Sequence, residues 1–473
     1  MVATTGIVGL VAQQAPQELF ADVSPESRLN LDQVFTKDVQ KDSIIRTRFV
    51  EWRPAALGLA GSELILNAFN DRKIVVEIGR VEVIGHALVY VGKVKGKPMS
   101  AVYVGQVDDS YYAQYTSPGE NSLRIRSVER FGQKGIYRID EIDSSRVQFE
   151  CMNNDPEFHS VVNERVQSLG AAISSTESQA PPLAMMSGGG QTHYLDLVVL
   201  YTTNTSYFFG SNAAAEAAIA SGVSEMNGIL HNTQISATDT YQIRLKGVLH
   251  VNYSEQPISG SSVWAKLHCQ CDGLAGTEAY ADSLGADHIQ LWYHDYQQTH
   301  PQGGADWLTS SNGTTPDVKS KFSVIDVAIA LGSSGRYAAM HEIGHSLGLN
   351  HKWQDENSTD PSNPMNLLRW DLGAMGFDSA EDGIVVLPWP EIFTDVGFGL
   401  ASYTVPQFTN PATTMQFQGQ PYLMGRWGTI PDQRPANAAA TLQTTFPIVG
   451  GFSSCTTCPP KVTLPSPCSS NCP

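Results

Sequence analysis

No apolar run in the 473 residues is long enough to span a bilayer, and no cluster of lysine and arginine appears anywhere in the chain. The first absence argues against a membrane span and the second against a phosphate-binding surface. Acidic residues outnumber basic ones 47 to 30, and a formal charge of −17 suits an acidic, soluble, exported protein rather than a nucleic-acid partner. The amino terminus, "MVATTGIVGLVAQQAPQ", has the apolar run and small-residue end of a signal peptide but lacks the basic stretch that should precede it. A leader over residues 1–24 is one reading and a disordered start is the other.

Cysteine is scarce and unevenly spread, with seven in all. Cys455, Cys458, Cys468 and Cys472 crowd a Pro/Ser-rich tail, residues 455–473, which cannot build a core. They read as disulfides of an oxidising compartment, since no histidine accompanies them to complete a mixed zinc knuckle. Cys269 and Cys271 in "HCQC" either close a small disulfide or pair elsewhere, and Cys151 stands alone.

The length is too great for one core, so two or three domains are expected. Between residues 25 and 165, stretches such as "KIVVEIGRVEVIG" and "ALVYVGKVKGKPMSAVYVGQV" alternate apolar and polar residues, which argues for an antiparallel β-domain. Residues 166–191, ending in "SSTESQAPPLAMMSGGGQ", lack any period and read as an exposed linker open to proteolysis. From 192 to 454, strand-like runs ("LDLVVLYT", "YQIRLKGVLHV", "HIQLWYH", "FSVIDVAIAL") alternate with helical patterns, which argues for an α/β sheet covered by helices. Ser333 or Ser334 offers an N-cap to the last of these helices.

That helix carries "HEIGHSLGLNH". His341 and His345, four apart, share one helix face and can bind one zinc ion. Glu342 beside them can deprotonate a water that the metal activates. His351 would lie about 15 Å along the axis if the helix continued, out of reach of the same ion. Gly348 removes this obstacle, because glycine tolerates the left-handed conformation that ends a helix and turns the chain back. Two ligands from the helix, one after the turn and a base between them make a three-histidine site with an open position.

These residues match the long zinc signature of the metzincin metalloendopeptidases. With "DLVVLYT", "GADHIQLW", "FSVID" and "ANAAATLQTTFPIVGGF", the chain resembles the reprolysin-like branch, and within it is similar to the microbial peptidyl-Asp metallopeptidase group. The β-rich region is similar to the propeptides of that group. The resemblance implies an α+β or α/β catalytic domain of two subdomains, with a twisted mixed sheet and an active-site helix, behind a mostly β propeptide. It implies zinc in the cleft, protein or peptide substrates, the chain's own propeptide as inhibitor, and secretion. A peptide substrate would lie as an added strand along Phe322–Ala330, taken as the sheet edge, and a preference for Asp is expected by analogy.

There are departures from the family pattern. Leu400 stands where metzincins carry the methionine of the turn beneath the zinc, with Met365 and Met375 as other candidates, and Lys352 replaces a usual acidic residue. Tyr403 follows that turn, where some members use a tyrosine to stabilise the intermediate. Cys151 is either a zymogen switch that supplies its thiolate to the zinc, as in related metzincins although the familiar switch motif is missing, or a free or otherwise paired cysteine. "WQDENSTDPSNP" suggests either calcium held through Asp355 and Asp360 or a solvated acidic loop. The competing reading is a catalytically inactive binding or adhesion protein on a metzincin scaffold, which the intact Glu342 argues against.

Overall fold

The computed structural model describes residues 16–24, 43–151, 190–306, 321–349, 414–417, 420–423 and 438–454, apart from 118, 130–131, 148–149, 234, 237, 254–259, 297–300 and 335–336. The leading strands are β1 (Gln17–Glu18), β2 (Phe20–Asp22), β3 (Ile44–Trp52), β4 (Glu63–Phe69), β5 (Arg72–Ile84), β6 (Ala87–Val94), β7 (Lys97–Val107), β8 (Ser110–Thr116), β9 (Ser122–Ser127) and β10 (Ile136–Ile142). They form one sheet in the order β1-β4-β5-β6-β7-β8-β9-β10-β3-β2, antiparallel except where β1 runs parallel to β4.

β1 and β2 are consecutive in the chain yet stand at opposite ends of that order, so residues 17–22 join the two edges and close a barrel. Leu19 N donates to Ile65 O at 2.9 Å, and Arg53 N donates to Leu19 O at 2.9 Å. Asn67 fastens the seam, its side chain accepting from Phe20 N and donating to Phe20 O, each at 2.9 Å. Closure removes the open edges that invite unwanted strand pairing. Leu19 and Phe20 are buried, so this stretch is part of the barrel.

Along β5 the expected alternation is plain, with Val76 and Ile78 buried and Glu77 exposed. It vanishes in β8, β9 and β10, where every residue is buried. One face of these strands lines the barrel, and on β8 and β9 the other is covered by the second half of the chain.

That half comprises β11 (Glu150–Cys151), β12 (Thr192–Thr202), α1 (Thr203–Phe209), α2 (Asn212–Thr233), β13 (Thr240–Val251), α3 (Gly260–Cys269), α4 (Thr277–Ser283), β14 (His288–Tyr293), β15 (Gln302–Ala305), β16 (Phe322–Asp326), α5 (Ala338–Ser346), β17 (Thr414–Phe417), β18 (Gln420–Leu423) and α6 (Ala438–Val449). Six strands make a mixed sheet in the order β11-β15-β16-β14-β12-β13, and β17 pairs with β18 separately. β13, β12, β14 and β16 are parallel, β15 is antiparallel to β16, and β11 is parallel to β15. Leu195, Leu197 and Val199 of β12 face α2, α5 and α6, whereas Val198 and Leu200 face α3 and α4. Both faces being covered, the parallel strands read as continuous apolar runs. The result is a mixed α+β protein.

The strand expected to be the sheet edge is interior, because β16 lies between β14 and β15. It is also shorter than expected. The Asp326 carboxylate accepts from Ala328 N at 2.8 Å, a local turn that diverts Val327–Leu331 from the sheet. Cys269 and Cys271, at the end of α3, are each disulfide-bonded.

Candidate active site

All nine residues of α5 are buried. Helix starts leave backbone N–H groups without intrahelical partners, and serine side chains are one remedy. Here the chain uses another. Ala338 N donates to Ile329 O at 3.2 Å and Ala339 N to Ala330 O at 3.0 Å, so carbonyls just beyond β16 serve as the cap. Neither Ser333 nor Ser334 caps the helix. Both lie in an upstream 3-10 turn (Gly332–Ser334), and Tyr337, in the left-handed region at φ 52°, occupies the cap position.

His341, Glu342 and His345 are fully buried, and one ligand atom from each lies within 4.8 Å of the others. The two imidazole rings stand 4.8 Å apart and perpendicular. No other group of three or more potential ligands occurs among the described residues.

The end of α5 explains the orientation of His345. Gly348 has φ +89°, Gly348 N donates to His345 O, and Leu349 N donates to Gly344 O, both at 2.9 Å. This is the paired hydrogen-bond pattern of a glycine-terminated helix. The turn carries the Leu349 carbonyl under the His345 ring, 2.8 Å from Nδ1. With Nδ1 donating there, Nε2 holds the lone pair that a metal requires. Thr445 of α6 donates to Leu347 O at 2.6 Å and fastens the same turn from outside.

Glu342 lies against β15. A Cβ at Gly303 would stand 2.4 Å from Glu342 Oε1, so only a residue without a side chain lets the carboxylate reach the strand. Ser346 donates to Asp306 O at 3.0 Å and ties the helix to the end of the same strand. Beyond β15 lies β11, with Cys151 paired to Gly303. Of Cys151 only the backbone pairing is described. His351, Lys352, Asp355, Asp360, Met365, Met375, Leu400, Tyr403 and the four tail cysteines lie outside the described residues.

Residues 192–367, which include the whole zinc signature, match the model of metallo-peptidase family M12B, reprolysin-like. This segment is a reprolysin-like metallopeptidase domain. Such a domain implies zinc, and the His341, Glu342, His345 grouping fits its zinc-binding motif. No curated protein matches the sequence. Among solved structures, metalloproteinase-II from Bacteroides fragilis is similar at 12% identity and a TM-score of 0.32, over 71% of this chain and 88% of that one. A chaperone–substrate complex is similar at 14% identity and a TM-score of 0.33, over 55% of this chain. The chain spans only 35% of the length of that chaperone–substrate entity. Likenesses this slight carry no argument about the reprolysin-like domain.

Missed by sequence reasoning were the Leu349 carbonyl, the need for glycine at 303, and the place of β15 between β16 and β11. "QGGA" has almost no β-forming character, so only the preceding antiparallel return could have hinted at it. Among the described residues no helix is long and apolar enough to cross a membrane.

Proposed function

We propose that the chain is a secreted zinc metalloendopeptidase, made as a zymogen, that hydrolyses internal peptide bonds. The observation that carries this reading is the buried grouping of His341, His345 and Glu342 beside β15, whose Gly303 admits the carboxylate. His341, His345 and His351 would hold the zinc, which supplies Lewis acidity toward a carbonyl and makes water acidic near neutral pH. Glu342 takes a proton from the attacking water and hands it to the leaving amine. A peptide lying along β15 would place its scissile bond next to that carboxylate.

The zymogen reading is supported by β11. It occupies the outer edge of β15, where a substrate strand would add, with Cys151 opposite the glycine that meets Glu342. Residues 16–151 then act as propeptide and the chain's own inhibitor. Tyr403 near the intermediate, Leu400 beneath the metal and calcium at Asp355 and Asp360 belong to the same proposal.

The test is cleavage of a denatured protein by the chain cut both at 148–149 and between residues 174 and 189, so that β11 is freed, wild type beside Glu342→Ala, with bound zinc quantified in both. Zinc in both with activity in the wild type alone is expected, the variant falling by about 100- to 10,000-fold. Zinc in both with cleavage in neither would replace this reading with a binding protein.

A further inference from the structure

The barrel and the peptidase domain share a core. Tyr103, Val107 and Tyr112 of the barrel belong to the same buried cluster as Ala217, Ala218 and Ile229 of α2. Leu331 and Tyr337, on the approach to α5, are in that cluster too. Gly105 of β7 meets the helix backbone directly, since a Cβ there would lie 2.1 Å from Ala217 O. Tyr112 stacks edge-on against Phe209, with ring centroids 5.4 Å apart.

A polar tie crosses the seam inside this core. The Gln114 side chain donates to Glu225 Oε1 of α2 at 2.9 Å and accepts from Ser333 N at 3.2 Å. Glu225 Oε2 accepts from Gly332 N at 3.0 Å. Gln114, Glu225 and Ser333 are all buried. One barrel side chain thus holds both α2 and the turn that leads into the active-site helix. Interfaces between separable domains are ordinarily more polar and more open to water than this.

The second contact is far smaller. β11 meets β15 through two residue pairs at an edge.

We infer that the barrel stays bound to the peptidase domain after the chain between them is cut, as a permanent subunit that holds the turn before α5, and that β11 alone blocks the site. Losing the barrel would uncover the apolar face of α2 and strand Glu225 and Ser333 N without Gln114. An exposed apolar patch of that kind favours rebinding or aggregation, not a free peptidase. Losing β11 uncovers only a strand edge, which a peptide can re-cover. The inference builds on the zymogen reading only in naming β11 as the block.

The experiment uses the full chain with one site-specific protease sequence placed between residues 174 and 189 and, in a second version, another at 148–149. After complete cutting, size-exclusion chromatography without denaturant separates or retains the fragments. Co-elution of the barrel with the zinc-loaded peptidase fragment is expected in both versions. Gln114→Ala should lower retention about tenfold, because it leaves buried partners unsatisfied. Peptidase activity is expected to rise in the doubly cut complex with the barrel still attached. Barrel and peptidase eluting apart, or activity only in barrel-free fractions, would overturn the inference, and so would wild-type retention in Gln114→Ala. Co-elution is read without any assay of cleavage, so a stable but inactive complex counts against the peptidase reading and leaves the retained subunit standing.

Discussion

Along α2 the amino-terminal region shares a core with the peptidase domain, whereas at β15 it adds two residues to a strand edge. The first contact draws on apolar area removed from water, worth roughly 25 cal/mol per Å², and every packed residue adds to it. The second draws on a few main-chain hydrogen bonds, each worth only about 1 kcal/mol net because water competes for the same groups. A contact of the first kind outlasts a break in the chain. One of the second kind can be exchanged for another peptide, and that is useful at an edge where substrate is expected to bind. Covering the site and supporting it are therefore separate tasks given to separate segments.

The largest effect should come from breaking the strong contact. Gly105→Val would place a Cβ 2.1 Å from Ala217 O and 2.5 Å from Ser221 Oγ. Neither neighbour can yield easily, as Ser221 donates to Ala217 O at 2.9 Å within the helix. Overpacking of this kind costs about 3 kcal/mol, at the upper end of the usual range, because the obstacle is backbone. The urea midpoint should fall accordingly and the cut fragments should separate. An unchanged midpoint would mean that the barrel rests loosely on α2.

Glu225 offers a graded test of the same seam. Burial pushes its carboxyl up from 4.5 to about 7, against the lowering effect of the bonds from Gly332 N and Gln114. The groups around it are the phenols of Tyr103, Tyr112 and Tyr337, all held neutral by burial, with Arg80, Glu82, Lys93 and His231 lining the neighbouring cavity. Because the docked value is raised, the docked state takes up the proton more readily than the separated one. The stabilisation is fully present below about 4.5 and is lost as pH rises toward 7. The difference amounts to about 3 kcal/mol between the two ends of that window. Retention of the barrel in the cut complex should thus be tighter at pH 5 than at pH 8. Glu225→Gln should flatten the dependence, even if its amide repels that of Gln114 and weakens the contact at every pH. A slope that persists in the variant would assign the titration to another group.

Much of the site could be read from the sequence because its chemistry is local. The two histidines, the glutamate and Gly348 lie within one helix and its end, where spacing alone sets geometry. The alternation of β5 to β7 was equally legible, since one face of each meets water for part of its length. Legibility failed where burial depends on distant segments. β8 and β9 lose their alternation because α2 and the turn before α5 cover their outer face. Residues 17–22 carry no strand signal of their own, and only their pairing with β3 and β4 reveals the seam of the barrel. The cap of α5 was misassigned because main-chain carbonyls beyond β16 do what a serine was expected to do.

A third variant should leave both contacts alone and so serve as their control. Gly348→Ala puts a side chain on a residue at φ +89°, which costs about 1–2 kcal/mol for an L-residue. The turn can relieve this only by moving, and the Leu349 carbonyl moves with it, away from His345 Nδ1. An imidazole that loses such an orienting acceptor typically loses about 10- to 100-fold in metal affinity. Competition with a chelator should therefore show weaker zinc binding, while barrel retention and its pH dependence stay as in the wild type. Gly348→Asn, which tolerates the left-handed region better, should fall between the two. If zinc affinity held in Gly348→Ala while stability dropped, the glycine would be a helix stop and nothing more. The orientation of His345 would then rest on the packing of α5 against β15 and β16, not on the turn.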